Sequence, residues 1–112
     1  MSVVARQRVD SILENYLLAL AGCDQCAASA PEDLKVRLTA NVARAERAWS
    51  DAAADGLVDE PAGLSVELEA LAGLNRRARK ALHDAQPIAE LLETLEAGTD
   101  RATRIVEAAL SL

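Results

Sequence analysis

Phenylalanine is absent from this chain of 112 residues, and histidine, tryptophan and tyrosine each occur once. With so few aromatic side chains, alanine and leucine must supply the apolar mass, a composition that favours helices over β-sandwiches and barrels. The single histidine excludes a ferritin-like di-metal bundle in its usual form, which needs two Glu-x-x-His pairs. Two cysteines are too few for a secreted disulfide framework, so a reducing, cytoplasmic setting is expected. No segment approaches the ~18–20 apolar residues of a membrane span, and no membrane partner is expected. A glycine-rich phosphate loop is missing, as is a Ser-His-Asp candidate with supporting context. Positive charge is also scarce: 12 Lys and Arg against 18 Asp and Glu leave a net charge of −6. Phosphate affinity comes chiefly from clustered Lys and Arg, so nucleic acid is not the expected partner.

What is present is a globular composition. Hydrophobic residues make up 51% and charged residues 27%, which argues against disorder. The length fits one domain spanning 1–112. A unit of this size buries roughly two-thirds of its unfolded surface, so a core can form without disulfides or metal.

Apolar residues recur at i, i+3, i+4 and i+7, the helical period. Ala5, Val9, Ile12, Leu13, Tyr16, Leu20, Cys23 and Ala27 share one side and predict a helix over 3–27. Pro31, Glu32 and Asp33 suit a first turn, because proline needs no amide partner there and carboxylates complement the helix dipole. Leu34, Leu38, Val42, Ala45, Trp49 and Ala52 then predict a second helix over 31–55, with Asp55-Gly56 as its stop. A third helix, over 61–84, carries Leu64, Leu68, Leu71, Ala78 and Leu82 on its stripe and Leu74 at the edge. Arg79, Lys80 and His83 supply the charge sign its last turn prefers.

The fourth helix, over 87–111, is read from Ile88, Leu91, Leu92, Leu95, Ala102, Ile105, Val106 and Ala109. Gly98-Thr99 interrupts its chemistry, yet Leu95, Ala102 and Ala109 stay seven apart across the interruption. That phase favours one helix, weak or kinked at Gly98, over two short ones. Four near-equal amphipathic helices with short connections predict an all-α fold, an antiparallel up-down-up-down four-helix bundle. Asn41 and Asn75 fall inside the stripes of the second and third helices. A turn centred near residue 58 puts them at one height, so a hydrogen bond between them, or a shared polar layer fixing the alignment, is expected.

Cys23-Asp24-Gln25-Cys26 is the most chemical-looking segment, since two thiols three apart can face one metal or close a redox disulfide. No second cysteine pair accompanies them, and a helix C-terminus does not lower a thiol pKa. Core packing is therefore expected for both, with redox or metal-linked chemistry at Cys23 and Cys26 as the alternative function. Leu20-Ala21-Gly22-Cys23 resembles a bacterial lipoprotein cleavage box. Asp10, Glu14 and Asn15 break the apolar stretch a leader needs, leaving only Tyr16 to Ala21, so no lipid anchor is expected.

The run from Asn75 to Lys80 is the only basic cluster, and His83 follows it. Arg76 or Arg77 followed by His83 resembles the Arg-to-His ribonuclease motif of HEPN domains, small helical bundles that dimerise. The resemblance implies an RNA-cleaving site with His83 as base. Inside one helix, however, the six-residue spacing puts Arg77 and His83 on different faces, so an RNA-binding or nuclease bundle is the least favoured reading. No catalytic residue, cofactor or metal ligand is assigned, and an enzyme is not expected.

Some aliphatic residues miss the stripes. Leu18 sits opposite Val9, Val36 sits nearly opposite Leu38, and Val3 and Val4 are not both accommodated. Clustered across the first two helices, such residues form a partner surface, and a two-fold contact is the commonest oligomer geometry. The expected function is protein–protein association by a non-enzymatic bundle (adaptor, accessory or regulatory subunit), self-associating as a homodimer. Leu18, Val36, Arg76 and Arg77 are the candidate partner-binding residues.

Overall fold

Each of the four expected helices forms. The computed structural model describes residues 3–55 and 64–110, in which α1 spans Val3–Cys26, α2 Glu32–Asp55, α3 Leu64–His83 and α4 Ile88–Leu110. Among the described residues there is no strand, and no helix is long and apolar enough to cross a membrane. Gly56, the connection at 57–63 and the expected helix start at 61 lie outside the described residues.

Local chemistry sets the ends. Pro31 and Pro87 stand just before α2 and α4, where a missing N–H costs nothing. Their carbonyls accept the first helical bonds, from the Lys35 N–H at 2.9 Å and the Leu91 N–H at 3.1 Å. After α3 the chain reverses through Ala85, whose φ is 51°. The Ala85 N–H donates to the Leu82 carbonyl at 3.3 Å and the Gln86 N–H to the Ala81 carbonyl at 3.0 Å, the paired bonds of a Schellman cap. α4 runs unbroken through Gly98-Thr99, as the seven-residue phase across them requires.

Cross-helix bonds fix the directions. Asn75 Nδ2 donates to the Ser11 carbonyl at 3.1 Å, and Gln25 Nε2 to the Leu82 carbonyl at 3.3 Å. Both pairs advance together along the chain, so α1 and α3 are parallel. Arg37 with Glu96 and Arg44 with Asp100 make α2 parallel to α4 in the same way. Directions therefore alternate up, down, up, down along the sequence. Around the bundle the order is α1, α2, α4, α3. α1 and α4 touch across the short diagonal, whereas α2 and α3 make no contact among the described residues.

Two glycines allow that short diagonal. A Cβ on Gly22 of α1 would lie 2.7 Å from Leu95 Cδ1 of α4, and one on Gly98 of α4 would lie 2.7 Å from Asn15 Oδ1 of α1. Both separations are well inside ordinary van der Waals contact. The expected hydrogen bond between Asn41 and Asn75 does not form, because their helices occupy the long diagonal.

A polar layer does form, however. One apolar cluster contains Ile12, Ala48, Ala52, Leu71, Ala102, Ile105 and Val106. A second contains Leu18, Cys26, Ala30, Leu38, Ala78, Ala81, Leu91, Leu92 and Leu95. On every helix one polar residue falls between the two: Asn15, Asn41, Asn75 and Thr99, each no more than 2% exposed. Asn15 Nδ2 donates to Thr99 Oγ1, Asn75 is held by the Ser11 carbonyl, and Asn41 Oδ1 is buried without a partner.

Candidate functional site

α1 carries apolar residues around much of its circumference, so it has one stripe more than the core uses. Ile12, Leu18, Ala19 and Cys26 point inward with Asn15 and Gly22. Leu13, Tyr16, Leu17 and Leu20 have the i, i+3, i+4, i+7 spacing of a second stripe. Leu17 is 52% exposed and the other three are half-buried. Tyr16 stacks on Trp49 of α2 with ring centroids 5.8 Å apart and planes 18° apart. Val42, one heptad before Trp49, is half-buried like it. The lone tyrosine and the lone tryptophan thus mark an apolar seam along the α1–α2 hairpin, where Trp49 also packs against the first core cluster.

The expected inward stripe of α1 included Leu13, Tyr16 and Leu20, and the structure places all three on this flank. Leu18, expected to face outward as a partner residue, is only 9% exposed and packs in the second core cluster. A rotation of α1 by about 100°, one residue's worth, explains both differences, since Leu18 follows Asn15 by three residues on the inward face.

Val36 is 60% exposed. It precedes Trp49 by 13 residues, about 20 Å along the helix, and does not join the aromatic seam. Arg76 and Arg77 are exposed on α3, which does not touch α2. The candidate partner residues therefore do not form one surface. Leu17, which does lie on an apolar flank, was legible only as a residue between Tyr16 and Leu18 in a continuous apolar run.

Both thiols are free. Cys26 is buried and Cys23 half-buried beside it, both against the second cluster. Burial, and then the neighbouring Cys23, push the Cys26 thiol above its ordinary range, which reduces the thiolate needed for exchange or ligation. Among the described residues no group of three or more His, Cys, Asp and Glu side chains converges to hold a metal ion. The His83 side chain is 89% exposed and its Nδ1 lies 3.2 Å from Asp84 Oδ1. Arg76 is two turns away on the same helix, about 10 Å along the axis, so the structure does not assemble these residues into a pocket.

Comparison with protein families, with characterised proteins and with solved structures finds no match to this chain.

Proposed function

We propose that this bundle acts through protein–protein association and not through catalysis, and that the seam of α1 and α2 is the associating surface. The observation that carries the reading is the stacked Tyr16–Trp49 pair, half-buried beside exposed Leu17. Tyrosine and tryptophan give large, rigid contact area for little conformational entropy and are enriched at interfaces. A two-fold axis through the seam would set Leu13, Leu17 and Leu20 of one copy against the same residues of another, making a homodimer. An adaptor or accessory subunit would use the same face for another protein. A reducing, cytoplasmic setting belongs to this reading, supported by the two free thiols.

The test is light scattering over a wide concentration range, comparing the native chain with Leu17→Glu. A native dimer converted to a folded monomer by Leu17→Glu supports the proposal. A native monomer at every concentration, or a dimer indifferent to the substitution, overturns the self-association through this seam. Trp49 fluorescence, blue-shifted on association, reads the same event locally.

A further inference from the structure

The seam between α2 and α4 changes character along its length. Arg37 meets Glu96 at 2.5 Å, and one heptad on, Arg44 meets Asp100 at 2.6 Å. The next heptad position on α2 is Asp51, and across from it α4 offers Glu107. Two carboxylates cannot close the seam as an arginine and a carboxylate do, and here the helices leave a groove of about 390 Å³. That volume is within the range of small-molecule sites, roughly 300–1,000 Å³.

The groove is polarised. Arg44 and Arg47 line one end, Asp51 and Glu107 the other, and buried Ala48 and Val106 contribute apolar surface between them. Arg44 is committed to Asp100. Arg47, Asp51 and Glu107 have no ion-pair partner among the described residues, although Arg47 and Asp51 stand at the i, i+4 spacing that allows one. Thr103 also lines the groove. Its Oγ1 gives its proton to the Thr99 carbonyl at 2.8 Å, which leaves lone pairs for an incoming donor.

We propose that this groove binds a small zwitterion of the ω-amino carboxylate class. The carboxylate pairs with the Arg47 guanidinium, the ammonium sits between Asp51 and Glu107, and the methylenes lie over Ala48 and Val106. Arg47 and Asp51 are four residues apart, about 6 Å along the axis, which a chain of four or five carbons spans. The groove lies on the opposite flank of α2 from the aromatic seam, so its occupancy is independent of the association proposed above.

The experiment is an amide NMR titration of the intact protein with glycine, 4-aminobutanoate and 5-aminopentanoate, against pentanoate, pentylamine and sodium chloride. The expected result is saturable shifts confined to residues 44–51 and 103–107, with the longer zwitterions binding at least about tenfold tighter than either singly charged analogue. Arg47→Gln and Asp51→Asn, at solvent-accessible positions, should each weaken binding about tenfold or more while leaving the rest of the spectrum in place. Absence of saturation, shifts reproduced by sodium chloride, equal binding of the singly charged analogues, or indifference to both substitutions overturns the proposal.

Discussion

Asn15 and Thr99, 84 positions apart in sequence, are joined by a 3.3 Å hydrogen bond in the middle of the bundle, and Thr99 Oγ1 passes its own proton to the Leu95 carbonyl at 3.1 Å. This bond ties α1 to α4 across the short diagonal, with apolar clusters above and below it. Sliding either helix by one turn would leave the Asn15 amide against aliphatic side chains. Unpaired, a buried polar group costs about 1–3 kcal/mol, so the pair selects one alignment of the two helices.

Substitutions in this layer are expected to have opposite signs. Thr99→Val keeps the shape and removes the acceptor of Asn15, and should destabilise by about 1–3 kcal/mol in urea unfolding. Asn41→Leu removes a carbonyl that has no partner and should stabilise by about 1 kcal/mol. A loss of stability in Asn41→Leu would overturn that expectation.

Gly98→Ala exchanges a poor helix former for the best one, a gain of about 1 kcal/mol at an open position. Here the added methyl would stand 2.7 Å from Asn15 Oδ1, and Asn15 cannot retreat without giving up Thr99. The substitution should instead destabilise by about 1–3 kcal/mol. In the Asn15→Ala background the same change should become neutral or favourable, and a double-mutant cycle measures that coupling.

Ala85 holds a left-handed conformation that costs a non-glycine residue about 1–2 kcal/mol. Ala85→Gly removes that strain at some cost in unfolded-chain entropy, so a net gain of about 0.5–1 kcal/mol is expected by thermal or urea unfolding.

The Cys26 thiol is pushed above its ordinary value of 9.0, first by burial and then by Cys23. The folded protein therefore keeps this proton to a higher pH than the unfolded chain does. Its contribution to stability is complete below about pH 9 and falls as pH climbs from there through the folded value. Unfolding measured on either side of pH 9 should show an alkaline loss that is smaller in Cys26→Ala. Alkylation at neutral pH should modify half-buried Cys23 before Cys26.

Helix by helix, the sequence was informative in proportion to the contrast between its faces. On α4, glutamates, arginines and threonines alternate with leucine and isoleucine, and Leu91, Leu92, Leu95, Ala102, Ile105 and Val106 are buried as their spacing requires. On α1 the run from Tyr16 to Ala21 is apolar at every position, so period alone could not say which side turns inward. Leu18 and Tyr16 exchanged roles for that reason. Asn41 and Asn75 were recognisable as interior amides, but the arrangement around the bundle decides what they meet. That arrangement follows from close approaches at Gly22 and Gly98, which are contacts in space without a periodic signal. Asn15 and Thr99 each looked like an interruption of an apolar stretch, because nothing in a one-dimensional pattern pairs them.

Because α2 and α3 stay apart, the α1–α2 and α3–α4 hairpins meet through α2 against α4, α1 against α3 and α1 against α4. Cutting the peptide within 56–63 would leave each of these helix-to-helix contacts in place. The two halves, produced separately and mixed, carry complementary inner faces and should reassemble into a bundle spectroscopically like the uncut chain.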